Sequence, residues 1–431
     1  MSSSEVLSVP DAHAPPRWRY LILGVVCMIM IANLQYGWTL FVSPMHAAHG
    51  WALSSIQFAF TVFVALETWG TPINGWIADQ LGGRLGPRVV IGSGGFLVAV
   101  GWIINANANT LFLLYLGSVL SGFGAGAVYC TAVGNAGKWF KDKRGLAIGL
   151  IAGGFGAGAA LTILPIQWVI AARGYTEAFF WFGLIQGGVV VVASQFMRDP
   201  EAGEAPDVPG DKAQKQTTRS YTPREVLRSP IFWLLYLLDL LMCSGGLIVT
   251  AALATIGSNF GVASIALLGT TTLAVALIFA NIMNGVARPF FGWVSDGIGH
   301  VPTMAIAFAL GAVAYVSLAL AGGFPWGFIL FSGLVFFCWG EIFSLFPAMC
   351  TDLFGSQYAT TNLSMLYTAK GAAAFLVPVG SIIAEATGNW SSVLYVAGGI
   401  NVIAVVLVLT VLRAAEKRHH DEVVEAPVVV S

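Results

Sequence analysis

The sequence GWIAD at residues 75–79 returns, with two changes, as GWVSD at residues 292–296. Each copy ends an apolar stretch and is followed by a glycine-containing turn, at residues 80–82 and 297–299. A motif that recurs in the same context far along the chain indicates an internal structural repeat. The chain is therefore predicted to consist of two halves of similar architecture.

Composition places these halves in a membrane. Of 431 residues, 57% are hydrophobic and 10% are charged, whereas soluble domains carry about 25% charged residues. The net charge of −1 gives no indication of a nucleic-acid partner. The five cysteines are scattered singly and have no metal-ligand spacing, so neither a metal nor another cofactor is expected.

A membrane span needs about 20 predominantly apolar residues. We predict twelve spans, numbered in chain order, at 19–42, 53–78, 88–106, 110–136, 144–171, 175–197, 230–257, 262–294, 302–321, 325–350, 359–387 and 391–413. The predicted fold is an all-α membrane protein of two six-helix bundles, at 19–197 and 230–413, joined by a polar linker at 198–229. Residues 1–18 and 414–431 are predicted tails.

The basic residues predict the orientation. Seventeen of the 20 Lys and Arg residues fall on one side, in the tails, the linker and two loops, and Arg173 is on the other. The positive-inside rule then puts both termini, the tails and the linker in the cytoplasm. We expect a monomer in the plasma (inner) membrane.

The two remaining cations, Arg288 and Lys370, lie within apolar spans. Lys370 is about ten residues into TNLSMLYTAKGAAAFLVPVGSIIA (361–384), a depth of about 15 Å at 1.5 Å per residue. A cation at this depth costs roughly 2.5–3.5 kcal/mol and usually faces a bundle interior or cavity. The alternatives are snorkelling of Lys370 to the interface and an ion pair of Arg288 with a nearby acid. We predict that both cations bind a carboxylate substrate.

Three acids are also expected to lie within helices of the predicted spans: Glu67, Asp239 and Glu341. They could compensate the cations or relay protons. For Glu341 a structural or gating role is favoured over proton transfer. Glu67 would support proton coupling if it faced the cavity.

The repeated loop motif, with Gly75, Asp79, Gly292 and Asp296, resembles the signature of the major facilitator superfamily. Its glycines are expected to permit close helix contact, and its acids to accept bonds from a helix N-terminus or a basic residue.

More specific segments resemble the oxalate/formate antiporter family: residues 34–39, 126–129, 284–289, 338–347 and 367–370. The resemblance implies that Arg288 and Lys370 bind substrate carboxylates. It implies a cavity lined by Gln35, Tyr36, Tyr129, Trp339, Phe343 and Tyr367. Phe343 and Tyr367 stand where the oxalate carrier of that family has a hydroxyl-bearing ring and a larger ring, respectively.

The leading hypothesis is a secondary carrier of small carboxylate anions such as oxalate and formate, working by exchange. The alternative is a proton-coupled symporter of a monocarboxylate such as lactate or pyruvate. An enzyme is not expected, because the sequence shows no Ser/His/Asp-type constellation and no sizeable soluble domain. A channel is disfavoured by the two-fold repeat and the absence of charge rings in the sequence.

Overall fold

The structure, a computed structural model, describes residues 17–140, 144–201, 204–205, 221–355 and 358–418. The side chains of residues 144–146, 296 and 359–360 are outside this description. So are residues 1–16 and 419–431 of the predicted tails, and 202–203 and 206–220 of the predicted linker.

Within the described residues, the first half contains six helical spans. Their helices are Arg17–Tyr36 and Thr39–His49 (span 1), Leu53–Trp69 and Thr71–Leu81 (span 2), Leu85–Ala106 (span 3), Leu111–Trp139 (span 4), Arg144–Gly158, the 3-10 turn Ala159–Leu161 and Ile163–Arg173 (span 5), and Tyr175–Ser194 (span 6).

The second half follows a short helix, Pro223–Arg228. Its spans are Pro230–Asn259 (span 7), Thr272–Ile298 (span 8), His300–Ala321 (span 9), Pro325–Gly340 and Ile342–Phe354 (span 10), Ala359–Ala374 and Leu376–Thr387 (span 11), and Ser391–Leu407 continued by a π turn at Val408–Leu412 (span 12). All twelve predicted spans are therefore helical.

Eleven of these spans in the described chain are long and apolar enough to cross a bilayer. The exception is span 2, which is interrupted at Gly70 into helices of 17 and 11 residues. Thr71-Pro72 begins the second helix, and proline at the first or second helical position is favoured because its missing N–H needs no partner there. Neither of the two helices of span 2 is long enough to cross the bilayer alone, so span 2 is not counted among the eleven.

The predicted start of span 8 is wrong. Span 8 was predicted from residue 262, but its helix begins at Thr272, after a two-stranded hairpin of Ala266–Leu267 and Thr270–Thr271. The turn residues Leu268 and Gly269 have φ of 50° and 79°. Positive φ at both central residues is the requirement of a tight type I′ hairpin, so the turn conformation prevails over the apolar pattern.

Glycines set the distance between span 4 and span 2. A Cβ at Gly122 would collide with the carbonyl oxygen of Phe63, and one at Gly126 with that of Glu67. Small residues are what permits such backbone approach between membrane helices. The close approach holds the Glu67 main chain against span 4.

The two halves meet along three pairs of spans. Span 2 packs on span 11, span 5 packs on span 8, and the second helix of span 1, Thr39–His49, packs on span 7. We call the end of the molecule that carries the linker, residues 198–229, the linker end. The opposite end, with the loops at 50–52 and 260–271, is the far end.

Three side chains of the first half bond main-chain atoms of the second half near the far end. Gln57 Nε2 donates to Ala251 O (2.9 Å), Thr61 Oγ1 donates to Ala374 O (2.7 Å), and Thr39 Oγ1 accepts from Ala254 N (2.8 Å). Further hydrogen bonds between described residues of the two halves lie at the level of Glu67 and Lys370. The halves are therefore joined by side-chain hydrogen bonds both at the site and toward the far end.

The loop motif forms an ion pair at the linker end. Lys138 Nζ donates to Asp79 Oδ1 at 2.9 Å and to Asp199 Oδ2 at 2.7 Å, so Asp79 does accept from a basic residue. The expected reason for the glycines is wrong, because a Cβ at Gly75 or Gly292 would meet nothing within 4 Å. Asp296 stands in helix, and its side chain is outside the description.

The start of the linker is fixed by Arg198. Its guanidinium donates two short bonds to Glu204, at 2.6 and 2.7 Å, and one to Tyr20 OH at 3.0 Å. This bidentate pairing lowers the pKa of Glu204 to about 2. The first residues after span 6 are thereby attached to the first half.

Candidate functional site

Helix interruptions cluster at mid-depth, where the two halves meet. Gln35 and Tyr36 end the first helix of span 1. Glu67 lies three residues before the interruption of span 2 at Gly70, and Lys370 lies four residues before the end of the first helix of span 11. In transporters, interrupted helices near the midplane bring main-chain and polar groups to a substrate site. The site residues on spans 1, 2 and 11 all follow this pattern.

Lys370 is completely buried and has three oxygen partners. Its Nζ donates to Gln35 Oε1 at 2.8 Å, to Glu67 Oε2 at 3.0 Å and to Tyr367 OH at 3.1 Å. Gln35 and Glu67 belong to the first half, so this ammonium group ties the two halves together. Snorkelling to the interface is excluded by these contacts. The ion pair with Glu67 is itself fully buried, with both side chains at 0% exposure.

Arg288 is 2% exposed and reaches the first half in two places. Nη1 donates to the carbonyl oxygen of Ala152 at 2.8 Å, and Nη2 donates to Tyr36 OH at 3.3 Å and to Asn284 Oδ1 at 3.0 Å. In the part of the chain that the structure describes, Arg288 has no carboxylate partner. Gly156 makes room for it, because a Cβ there would lie 3.1 Å from Nε.

One ring joins the two cations. The centroid of Phe343 is 4.3 Å from Arg288 Cζ and 5.6 Å from Lys370 Nζ. A cation within about 6 Å of an aromatic centroid is attracted by the ring quadrupole. Arg288 and Lys370 are thus brought together, as the sequence predicted, with Phe343 beside both.

Further aromatic side chains surround this ring. Tyr129 stacks on Tyr367 with centroids 5.5 Å apart, and Trp339 lies 5.5 Å from Phe343 and 6.1 Å from Tyr36. Tyr36 and Trp339 are buried, whereas Tyr129, Phe343 and Tyr367 are partly exposed. The predicted lining residues therefore form one continuous aromatic cluster around the cations.

Several buried polar atoms of the cluster lack a partner among the described residues. They are the donors Arg288 Nε, Gln35 Nε2 and Trp339 Nε1, and the acceptor Glu67 Oε1. A buried donor without an acceptor costs about 1–3 kcal/mol, so each such group calls for a specific reason. Three free donors beside two cations are suited to a ligand that carries acceptor oxygens and negative charge.

Glu341 lies apart from this contact network. It stands at the junction between the two helices of span 10, is 0% exposed, and neither carboxylate oxygen has a hydrogen-bond partner among the described residues. The described contacts of Lys370 and Arg288 do not include it. Of the three acids considered, the structure brings Glu67 into direct contact with a cation, whereas the buried Asp239 accepts a bond from Cys243 Sγ at 3.3 Å.

Three contributors were not predicted. Asn284 accepts from Arg288 and donates Nδ2 to Phe336 O at 3.2 Å. Its position one helical turn before Arg288 was a usable signal, since residues four apart share a helix face. Phe155, 5.6 Å from Lys370 Nζ, and Gly156 lie in a glycine-rich span with no periodic mark of the site.

Comparison with known proteins gives the family. The profile of the Major Facilitator Superfamily matches residues 21–378. The oxalate:formate antiporter of Oxalobacter formigenes is 33% identical over 405 residues, covering 92% of this chain and 91% of that protein. The uncharacterized MFS-type transporter YhjX of Escherichia coli (strain K12) is 26% identical, covering 84% and 87%. Monocarboxylate transporter 12-B of Danio rerio is 25% identical, covering 75% and 72%.

These matches agree with the helical architecture of the two halves. The relatives span nearly the whole chain, so the agreement concerns the complete membrane domain. The expectation that the chain is not an enzyme is confirmed by the transporters that it resembles. The chain therefore belongs to the Major Facilitator Superfamily and is an integral membrane transporter.

Proposed function

We propose that the protein is a secondary carrier of small organic anions that exchanges carboxylates by alternating access, as the name of its oxalate:formate antiporter relative describes for that protein. Arg288 and Lys370 bind the substrate carboxylates. The observation that carries this proposal is the meeting of both buried cations at the ring of Phe343, between the halves. Arg supplies a bidentate fork and Lys a point charge, and carboxylates are bound well by both.

The unpartnered donors support an anionic substrate. Arg288 Nε, Gln35 Nε2 and Trp339 Nε1 each need an acceptor, and an ionised carboxylate offers two oxygens with several lone pairs. Tyr36 and Tyr129 then form walls of the cavity, and Phe343 and Tyr367 set its shape and polarity. The differences at Phe343 and Tyr367 from the oxalate carrier are where we expect substrate preference to diverge.

Alternating access requires that the seal at each end can be broken. The far end is held by three hydrogen bonds between the halves, each worth about 0.5–1.5 kcal/mol net. Such a total is small enough to be made and broken in each cycle as the halves rock about the site. We propose that the linker end faces the cytoplasm of a plasma (inner) membrane and that the carrier is a monomer.

Exchange follows from electrostatics. With Glu67 ionised and paired to Lys370, the empty site keeps one uncompensated positive charge at low dielectric, which is unfavourable, so a carrier of this kind returns loaded. A dicarboxylate such as oxalate neutralises both cations when Glu67 is protonated. Formate carries a single charge and needs a further negative group in the site.

The second candidate function is proton-coupled symport of a monocarboxylate such as lactate or pyruvate. The contact between Lys370 and Glu67, at 3.0 Å, favours it, because the acid is placed where a proton would release the lysine. The name of the monocarboxylate transporter relative points the same way. For Glu341 we propose a gating role, since it stands where span 10 changes from one helix to the next.

Transport by proteoliposomes tests both candidates. Vesicles loaded with formate or oxalate should take up labelled oxalate rapidly, and vesicles without an internal carboxylate should not. Arg288→Gln and Lys370→Gln should each lower uptake by more than about tenfold, since a charge-assisted bond to substrate is worth about 1.5–3 kcal/mol. Arg173→Gln is the matched control, because Arg173 is an exposed cation near the far end.

The outcomes separate the candidates. Equal uptake by loaded and unloaded vesicles would show that exchange is not obligatory. Uptake of lactate or pyruvate that depends on an inward proton gradient, and is lost in Glu67→Gln, would favour symport. Full transport of every tested anion by Lys370→Gln would contradict the assigned site.

A further inference from the structure

The contacts of Lys370 reveal a charge imbalance in the site. Two cations and one carboxylate, Arg288, Lys370 and Glu67, are joined through direct contacts and the shared ring of Phe343. Lys370 and Glu67 form a buried ion pair, and the net charge of the three groups is +1 when Glu67 is ionised. A substrate with one negative charge brings the net charge to zero, whereas a substrate with two negative charges brings it to −1.

We propose that Glu67 is a specificity-determining residue, acting as a built-in carboxylate that occupies Lys370 and sets the charge of the bound substrate. A monocarboxylate binds at Arg288 with Glu67 left on Lys370. A dicarboxylate binds both cations only when Glu67 has taken up one proton from solution and released Lys370. This inference rests on the proposed function, because it assumes that Arg288 and Lys370 hold the substrate.

The geometry favours competition for one ammonium group. Lys370 Nζ has three N–H donors, and three protein oxygens already accept from them: Gln35 Oε1, Glu67 Oε2 and Tyr367 OH. A substrate oxygen that reaches Nζ must therefore replace one of them. If the substrate replaces Glu67, one carboxylate takes the place of another. The other two acceptors, Gln35 Oε1 and Tyr367 OH, are neutral groups.

Among the described residues, no second anion acts directly on Glu67; the buried Asp239 on span 7 acts on Lys370 and accepts a bond from Cys243 Sγ at 3.3 Å. The charged and titratable groups that act on Glu67 from neighbouring spans are Lys370 and Tyr367 on span 11, Arg288 on span 8, Tyr36 on span 1 and Tyr129 on span 4. Two are cations and three are phenols, which are neutral near pH 7. Glu67 Oε1 is buried without a partner among the described residues, so this oxygen has room for a proton.

The test compares oxalate with formate for binding to the purified full-length protein by calorimetry. Glu67→Gln should raise the affinity ratio of oxalate to formate by at least about tenfold, because the site then carries two uncompensated charges. Glu67→Asp keeps the charge and should keep the ratio near that of wild type. Gln35→Leu removes a neutral acceptor of Lys370 and should weaken both anions without changing the ratio.

Proton counting on the wild-type protein gives a second test that does not need a variant to fold. Between about pH 6 and pH 8, binding of oxalate should take up about one proton per site, measured with a pH indicator in weak buffer, and binding of formate none. Oxalate affinity should accordingly rise as the pH falls, and this dependence should vanish in Glu67→Gln.

The failures are distinguishable. An unchanged ratio in Glu67→Gln, or oxalate binding without proton uptake, overturns the inference while leaving the carrier proposal intact. If Arg288→Gln and Lys370→Gln bind both anions as wild type does, the assigned site fails and the inference fails with it.

Discussion

Gly156 offers a test of Arg288 that leaves the arginine itself in place. In Gly156→Ala, the new Cβ would lie 2.8 Å from Asn284 Oδ1 and 3.1 Å from Arg288 Nε. The contact to Asn284 is shorter than any real Cβ makes and the contact to Arg288 is tighter than usual, so the Asn284 side chain has to shift and the guanidinium has to give way by a few tenths of an ångström. The bonds at risk are Nη1 to the Ala152 carbonyl, at 2.8 Å, and Nη2 to Asn284, at 3.0 Å.

The magnitude follows from the bond that is misplaced. If the shift denies the substrate one charge-assisted hydrogen bond from Arg288, binding weakens by about 1.5–3 kcal/mol, or roughly 10- to 150-fold in Kd. The assay is isothermal titration of the purified carrier with oxalate and with formate, accompanied by thermal unfolding to confirm that the variant is folded. Both anions should be affected, since either would use Arg288.

Gly149→Ala is the matched control. Gly149 lies on the same helix two turns earlier, and a Cβ there would meet nothing within 4 Å. It gains the same helix propensity as Gly156→Ala. Wild-type affinity in a folded Gly156→Ala protein would refute the assignment of Arg288 to the substrate, and an equal loss in both variants would show that the effect is general to span 5.

Three further predictions address other contacts. Thr61→Val removes a hydrogen bond near the far end that is worth about 0.5–1.5 kcal/mol. Spin labels on the two halves at the far end should therefore show a population with separated halves that is roughly 2- to 13-fold larger. An unchanged distance distribution contradicts the role of Thr61. Phe343→Leu should weaken anion binding by about 0.5–2 kcal/mol because the ring that orders both cations is lost, with Phe343→Tyr retaining it; equal binding by both would exclude the cation contacts. Glu204→Gln should destabilise the protein by about 0.2–1 kcal/mol at pH 7, and because the folded pKa lies below the unfolded value, this loss should fade as pH falls from about 4.5 toward 2; a pH-independent difference in thermal unfolding would contradict the ion pair.

Much of the architecture could be predicted because it is encoded locally. Apolar length gives the spans, and the repeated GWIAD and GWVSD motifs relate the halves. Lys370 could be recognised because an ion deep in an apolar helix requires a polar environment. The hairpin before Thr272 was missed because its positive-φ turn, at Leu268 and Gly269, interrupts an otherwise apolar run.

The partners within the site could not be predicted in the same way. Glu67 and Lys370 are far apart in sequence and meet only after two bundles have packed against each other. Their contact depends on which faces of spans 2 and 11 pack on each other, and hydrophobic periodicity does not record that choice. Gly75 and Gly292 were predicted to permit close helix contact because they recur in the repeated motif. The structure does not support that reason, since a Cβ at either position would meet nothing within 4 Å.

The two halves contribute different kinds of group to the three hydrogen bonds at the far end. The first half contributes three side chains, and the second half contributes main-chain atoms of Ala251, Ala254 and Ala374. Substitution can delete a hydroxyl or an amide from the first half, whereas the carbonyls of Ala251 and Ala374 persist through any substitution and the N–H of Ala254 through any but proline. Sequence drift can therefore remove these bonds most readily through the first half.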